Sequence, residues 1–253
     1  MNENYARIKY NYFIKIKEEF NTMDRFSRPS VGNSRTESTS MTFLNQVYAW
    51  MASGLLITAV VAYVVANSME LLLFSFQYRW ILFIAQLGLV FVLAGRINTL
   101  SHSAATGMFL IYSALMGMTL SGILVIYTSE SIASVFAITA GTFGGMSLYG
   151  YTTKRDLSGM GSMLFMALLG IIIASFVNFF LRSEGLMWLL TYAGVLIFVA
   201  LTAYDTQKLK KMAEQFAGDE EATKKFAIFC ALTLYLDFLN LFLYLLRIFG
   251  KRR

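Results

Sequence analysis

Two aspartates, Asp205 and Asp237, lie in stretches of sequence that are otherwise uncharged. Asp205 stands in Ala-Tyr-Asp-Thr-Gln, and Asp237 stands in Leu-Tyr-Leu-Asp-Phe-Leu. An ionised carboxylate at the centre of a bilayer costs at least ~2.5 kcal/mol, so acids in membrane segments are functional candidates. Two carboxylates within hydrogen-bonding distance do not both ionise easily, so such a pair keeps one proton and titrates as a unit. Carboxylate oxygens are also preferred ligands of Ca²⁺. The two residues therefore predict a proton sensor, with Ca²⁺ as a candidate ligand.

The spacing of the two aspartates predicts that they meet. The midpoint of positions 205 and 237 is 221, and the turn signal Gly-Asp-Glu-Glu occupies positions 218–221. If one helix continues through 208–217 and the chain reverses near residue 219, an antiparallel hairpin brings both acids to a similar depth. The remaining offset is about four residues, or ~6 Å at 1.5 Å of rise per residue.

The elements that must position these acids are membrane-spanning helices. Of the 253 residues, 57% are hydrophobic and only 14% are charged, whereas a soluble domain carries roughly 25% charged residues. Charges separate six uncharged runs, and a seventh run between Lys225 and Arg247 is interrupted only by Asp237. Runs of about 20 residues cross a bilayer as helix. The six runs are 43–69, 80–95, 97–129, 131–153, 157–181 and 185–204.

These runs predict an all-α fold, a polytopic bundle of seven transmembrane helices. Residues 1–42 are polar and are predicted to form a disordered cytoplasmic leader, because their Ser-, Thr- and Asn-rich part buries too little apolar surface to order itself. Residues 43–249 form the membrane domain, and residues 250–253 form a basic tail. No cleaved signal peptide is visible ahead of residue 43.

The distribution of Lys and Arg predicts the orientation. Basic residues accumulate on the cytoplasmic side of a membrane. With the N-terminus inside, the inner segments hold fifteen basic residues, whereas the outer loops hold only Arg79 and Arg182. The C-terminal tail is ambiguous: the length of the seventh segment favours a span, whereas the tail's charge favours a re-entrant segment that returns to the inner side. The net charge of +6 is explained by this inner clustering and needs no nucleic-acid partner.

Three further residues are candidates for a supporting role around the aspartates. Arg96 ends a short span on the same inner side as Asp205, and it is equally compatible with an interface anchor. Tyr204 precedes Asp205, and Asn240 lies one helical turn from Asp237, where it is a candidate for the lining of a pore. A stripe of small residues, Ala133, Ala137, Gly141 and Gly145, predicts close packing of the fourth span against another helix.

The sequence resembles the Bax inhibitor family of transmembrane proteins. The resemblance rests on Ala-Tyr-Asp-Thr-Gln at 203–207, Leu-Tyr-Leu-Asp-Phe-Leu-Asn-Leu-Phe at 234–242 and Thr-Lys-Arg-Asp-Leu-Ser at 153–158. It implies a seven-helix protein, and bacterial and endoplasmic-reticulum members act as pH-sensitive calcium leak channels. It also implies that Asp205 and Asp237 are the paired aspartates that sense pH. Arg96 matches an arginine that latches this pair when the pore is closed, although its flank Leu-Ala-Gly departs from the arginine-rich cluster of some members.

Several enzyme classes are excluded by missing residues. An intramembrane aspartyl protease needs Gly-x-Gly before its second aspartate and a later Pro-Ala-Leu, whereas the only proline here is Pro29. The only histidine, His102, is near the inner end of a run and does not suit a serine–histidine dyad with Ser147. The single cysteine, Cys230, excludes an intrachain disulfide or a thiolate cluster. No enzymatic activity and no cofactor are predicted.

The prediction is a passive, pH-modulated calcium leak channel in the bacterial inner membrane, with Ca²⁺ as the transported ion and Asp205 and Asp237 as its candidate ligands. Arg96 and the aspartates hold the inner ends of the helices together, and protonation weakens that attraction. Without a compensating cation, two full charges repel at high pH, so the direction of gating depends on Arg96. Two alternatives stay open: an interaction protein that modulates a membrane-bound quality-control protease, as some bacterial relatives do, and a proton-coupled transporter.

Overall fold

The computed structural model describes residues 32–215 and 220–253, and these residues form eight α-helices without a named strand. In chain order they are α1 (Gly32–Ala66), α2 (Met69–Gln77), α3 (Arg79–Arg96), α4 (His102–Ile126), α5 (Ser129–Thr152), α6 (Met160–Leu181), α7 (Glu184–Gln215) and α8 (Glu220–Phe249). All except α2 are long and apolar enough to cross a membrane. The predicted all-α bundle of seven membrane-spanning helices is confirmed.

Helix α2 was not predicted, because residues 70–79 looked like an outer loop between two uncharged runs. The Ser68 hydroxyl caps its N-terminus by accepting a hydrogen bond from the Leu71 amide at 3.4 Å. Such a cap satisfies one of the amide groups that the first turn of a helix leaves without a partner. With nine residues, α2 is too short to span the bilayer, and it connects α1 to α3 on the outer side.

Helix α1 begins before the membrane segment. It starts at Gly32, so residues 32–42 of the predicted disordered leader are helical, and residues 1–31 lie outside the described residues. No proline or glycine occurs between positions 33 and 53, so nothing in the covalent chain stops the helix at residue 42. The boundary of the apolar run is therefore not the boundary of the helix.

Helix α8 is the central element of the bundle. Of its apolar segment, 67% of the residues are buried, against 11% in α6. Helices α1, α4, α5 and α7 all pack against it, while α3 packs on α4 and α6 packs on α7 at the periphery. At 30 residues and 1.5 Å of rise, α8 is ~45 Å long, which exceeds the ~30 Å of a bilayer core. It is one unbroken helix, so it is a span and not a re-entrant segment.

The C-terminal tail is fastened to the connection between α4 and α5. The Thr128 amide donates to the Lys251 carbonyl at 3.0 Å, and the Arg253 amide donates to the Ile126 carbonyl at 2.9 Å. The Lys251 amide donates to the Ser131 hydroxyl at 2.8 Å. Counting spans from an inner N-terminus, this connection is on the outer side. The tail is therefore also on the outer side, because its backbone hydrogen bonds tie it there against the bias of its charges.

The close helix contacts do not involve the predicted small-residue stripe. Gly141 and Gly145 have open space where a side chain would stand and are exposed, so the stripe does not pack against another helix of the chain. The close approach is one turn further along α5, where a Cβ on Gly150 would overlap the backbone carbonyl of Ala203 in α7. A stride of four places small residues on one face but does not tell which face meets a neighbour.

Candidate functional site

The two aspartates are positioned by α7 and α8, which form the predicted antiparallel hairpin. Helix α7 continues without a break from Glu184 to Gln215, past Asp205, and α8 begins at Glu220. The predicted turn near residue 219 falls mostly on residues 216–219, which lie outside the described residues. Because both helices extend beyond the apolar runs, the hairpin is long enough to place both acids inside the bundle.

The carboxyl groups of Asp205 and Asp237 lie within hydrogen-bonding reach of each other. Both residues are buried, with 9% and 6% of their surface exposed. A carboxylate oxygen is only an acceptor, so a hydrogen bond between two carboxyl groups requires a proton on one of them. Asp237 Oδ2 is buried and has no hydrogen-bond partner among the described residues. The arrangement therefore suits a pair that holds one proton and in which one carboxyl oxygen has no hydrogen-bond partner among the described residues.

Among the described residues, the cation that acts on Asp205 is Lys208. It interacts electrostatically with Asp205, lies three residues further along α7, and is exposed. The buried thiol of Cys230 is within electrostatic reach of both Asp205 and Lys208. In the described part of the chain, the pair therefore lies in a largely apolar environment with Lys208 near its solvent side.

Arg96 is not at the pair in this structure. It is exposed at the inner end of α3, and α3 packs on α4 and α2, not closely on the helices that carry the aspartates. In the part of the chain that the structure describes, no salt bridge joins Arg96 to Asp205 or Asp237. Its role as a latch stays a prediction that requires α3 to move.

Tyr204 and Asn240 point to different surroundings. The Tyr204 ring lies against Gly161 of α6, and the Lys208 ammonium lies 5.9 Å from its centroid. The Asn240 amide nitrogen donates to the Leu236 carbonyl at 2.8 Å. Asn240 also lines a cavity of about 400 Å³ on the outer side of the bundle, between α6, α7 and α8. Of these two residues, Asn240 is the one that lines a described cavity.

The outer cavity is the most polar of the larger cavities described. Besides Asn240 it is lined by Ser175 and Asn178 of α6 and by Arg247 of α8. The Arg247 guanidinium donates to the Thr191 hydroxyl at 3.4 Å. Asn240, one turn of α8 from Asp237, is the lining residue closest in sequence to the carboxyl pair.

Gln207 connects two of the sequence motifs in space, the one at 203–207 and the one at 153–158. Its carbonyl oxygen accepts from the Leu157 amide at 2.8 Å, and its amide nitrogen donates to the Arg155 carbonyl at 2.8 Å. Beside it, the Lys211 ammonium is 2.6 Å from the Asp156 carboxylate. Hydrogen bonds from Lys211 and from Ser158 lower the pKa of Asp156 to about 2. The inner connection at 153–158 is thus fastened to α7 just below Asp205, a role that the residue types alone do not reveal.

Tyr235 makes a buried interhelical hydrogen bond. Its hydroxyl is 2.6 Å from the Thr58 hydroxyl, which donates to the Ser113 carbonyl at 2.9 Å. Tyr235 is fully buried, and its ring makes edge contacts with Phe109 and Tyr112. This contact joins α8 to α1 and α4 two residues from Asp237.

The pair is too small by itself to be a complete metal site. Among the described residues, no group of three or more His, Cys, Asp or Glu side chains is placed to hold a metal ion. Ca²⁺ takes six to eight oxygen ligands, and two carboxylates supply at most four. A Ca²⁺ ion at the pair would therefore need water or backbone oxygens as additional ligands.

Seven membrane-spanning helices around a buried carboxyl pair define a polytopic helical membrane protein. The sequence profile described as "Inhibitor of apoptosis-promoting Bax1" matches residues 40–253. The chain therefore belongs to the Bax inhibitor family, and the resemblance seen in its motifs is confirmed.

The chain is similar to several bacterial proteins over most of its length. It is 58% identical to the inner membrane protein YbhL of Escherichia coli over 235 residues, which are 91% of this chain and 100% of that protein. It is 50% identical to an uncharacterized protein of Borreliella burgdorferi over 83% of this chain and 92% of that protein. It is 43% identical to the uncharacterized protein RP147 of Rickettsia prowazekii over 83% of this chain and 90% of that protein. The predicted location in the bacterial inner membrane is confirmed by YbhL and the seven apolar helices.

Proposed function

We propose that this protein is a pH-modulated cation leak channel that passes Ca²⁺, with Asp205 and Asp237 as its proton sensor. The observation that carries the proposal is the contact between two buried carboxyl groups in the centre of a membrane bundle. Buried acids in spans are expensive and belong by default to proton or ion pathways.

The shared proton forms the hydrogen bond that connects α7 to α8 at the carboxyl pair. While one proton is shared, the two carboxyl groups attract each other through a hydrogen bond. When that proton leaves, two negative charges at about 4 Å repel each other by ~4 kcal/mol at an effective dielectric constant of 20. The same deprotonated oxygens are hard ligands for Ca²⁺. Deprotonation therefore weakens the contact between α7 and α8, and the ionised carboxylates attract a cation.

The direction of the pH response depends on the cation that faces the pair. With Arg96 distant and Lys208 at the exposed edge, deprotonation is not compensated, and flux rises as pH rises. If α3 moves so that Arg96 binds the ionised pair, the closed state is stabilised at high pH and flux rises as pH falls. In the second case Arg96→Gln reverses the direction of the pH response, because the ionised pair is then uncompensated, whereas in the first case it leaves the response unchanged.

The outer cavity supports a route to the pair. It reaches Asn240, one turn of α8 from Asp237, between helices that leave a gap of about 400 Å³. An ion entering there meets amide and hydroxyl oxygens before it meets carboxylates. We expect Asn240→Leu to reduce flux, because an apolar side chain at that position leaves a hydrated ion without a partner.

The test is Ca²⁺ flux into proteoliposomes between mildly acidic and mildly basic pH. Asp205→Asn and Asp237→Asn each remove one titrating group with little change of shape, and Asp156→Asn is the matched control because Asp156 is exposed and outside the bundle. The proposal expects both pair variants to lose the pH response and the control to keep it.

Other outcomes separate the alternatives. Flux that occurs only when a proton gradient drives it indicates a proton-coupled transporter that uses the same pair. Absence of flux above that of empty liposomes at every pH contradicts the leak, and modulation of a membrane-bound protease then becomes the leading hypothesis.

A further inference from the structure

An open apolar groove lies between α1 and α5 in the inner half of the bundle. Both helices pack on α8 but not closely on each other, and the space between them has a volume of about 590 Å³. Its walls include Tyr48 and Leu55 of α1 and Phe143 and Gly144 of α5, and Phe238 of α8 forms its floor. Cavities that bind small ligands have volumes of roughly 300–1,000 Å³. The groove is large enough for an acyl chain and faces the surrounding lipid.

The inner end of the groove carries uncompensated positive charge. Tyr151 and Thr152 line that end, and the Lys210 ammonium donates to the Tyr151 carbonyl at 3.1 Å and lies 4.5 Å from the Tyr151 ring. An ammonium has three donors, so two remain. Within the described ranges no salt bridge neutralises Lys210, and Lys154 is exposed two residues beyond Thr152. The neighbouring Lys211 differs because Asp156 neutralises it.

A polar group inside the groove wall also lacks a partner. Ser147 lines the groove and is 7% exposed, and its hydroxyl has no hydrogen-bond partner among the described residues. It lies five residues before Thr152, or ~7.5 Å deeper at 1.5 Å per residue. The ester oxygens of a phospholipid are acceptors that lie just below the headgroup, at a comparable depth.

We propose that the groove between α1 and α5 binds an anionic phospholipid of the inner leaflet. The acyl chain lies on the apolar walls, and the phosphate lies near Lys210 and Lys154. Charge argues against the N-terminal segment of the chain as the occupant, because residues 1–31 hold six basic and four acidic residues. Their net charge has the same sign as that of the groove's inner end, whereas an anionic headgroup complements it. Such a lipid contacts Phe238, the neighbour of Asp237.

The test is native mass spectrometry of the full chain, titrated with phosphatidylglycerol or with phosphatidylcholine of the same acyl chains. Gly144→Leu fills the groove, and Gly141→Leu is its matched control, because both glycines have no atom within 4 Å of an added Cβ but only Gly144 lines the groove. Lys210→Gln removes the headgroup charge, and Lys211→Gln is its control.

The proposal expects the native chain to retain phosphatidylglycerol in preference to phosphatidylcholine, with each lysine contributing about fivefold. Gly144→Leu is expected to lose both lipids, Lys210→Gln to keep both lipids with the preference reduced about fivefold, and both controls to behave as the native chain. If Gly144→Leu does not fold, Ala140→Leu fills the same groove. Equal retention of the two lipids by the native chain, or native retention by the groove-filling variant, overturns the proposal. This test does not depend on ion flux.

Discussion

The close approach of α5 to α7 makes Gly150 indispensable, while Gly145 on the same helix is free to change. A Cβ at position 150 would overlap the backbone carbonyl of Ala203 in α7, whereas a Cβ at position 145 meets nothing within 4 Å. A backbone carbonyl cannot relieve an overlap by changing rotamer, as a side chain can, so Gly150→Ala must push the two helices apart. Overpacking of this kind costs ~1–3 kcal/mol.

The matched variant Gly145→Ala isolates the overlap from the change in helix propensity. Both substitutions gain up to ~1 kcal/mol of propensity for helix, so the difference between the two variants measures the overlap alone. We expect the free energy of unfolding of Gly150→Ala to be lower than that of Gly145→Ala by ~1–3 kcal/mol. That difference corresponds to a Tm lower by roughly 2–12 °C.

The single cysteine provides the assay. Cys230 is the only cysteine of the chain and is 0% exposed, so a thiol-reactive fluorescent dye labels it only when the bundle opens. The dye's melting curve in detergent then reports Tm for the native chain and both variants. Because Ala203 is two residues from Asp205, we also expect Gly150→Ala to alter the pH profile of Ca²⁺ flux. Equal Tm values for the two variants would refute the close contact and with it the placement of α7 against α5.

Three further predictions address other contacts. Tyr235→Phe removes one buried hydrogen bond to Thr58, so we expect the free energy of unfolding to fall by about 1 kcal/mol, and a Tm equal to that of the native chain would contradict the contact. An epitope tag placed after the last residue is expected to react with antibody on the outer face of spheroplasts, whereas a tag that reacts only after the membrane is opened would contradict the fastening of the tail. The lowered pKa of Asp156 stabilises the fold at pH values above its ordinary value of 3.8, and this contribution is lost as pH falls toward about 2. We therefore expect Asp156→Asn to leave the pH dependence of Tm unchanged between pH 5 and 8, and a changed profile in that range would contradict the assignment.

The spans were predictable because charges are costly in a bilayer and therefore mark the ends of membrane helices. The seven helices that can cross a membrane follow the uncharged runs closely. The contact between Asp205 and Asp237 was also predictable from the sequence, because two helices joined by a short turn must run side by side. Both the spans and the contact between the two aspartates can be predicted without knowing how the remaining helices pack.

The features that were not predictable depend on contacts between distant parts of the chain. The side of the C-terminus was undecided because length and charge disagreed, and the backbone contacts of Lys251 with Thr128 settle it. The predicted packing of the stripe at Gly141 and Gly145 was wrong because spacing does not identify the facing helix. The role of Gln207 could not be predicted because its hydrogen-bond partners are backbone groups, and backbone groups occur in every sequence.

The central claim is that Asp205 and Asp237 act as one titrating unit that controls cation passage. The most direct measurement compares the pH profile of Ca²⁺ flux in proteoliposomes for the native chain, Asp237→Asn and the exposed control Asp156→Asn. We predict that flux through the native chain and the control changes with pH, whereas flux through Asp237→Asn is lost or independent of pH. An unchanged pH profile in Asp237→Asn would contradict the account.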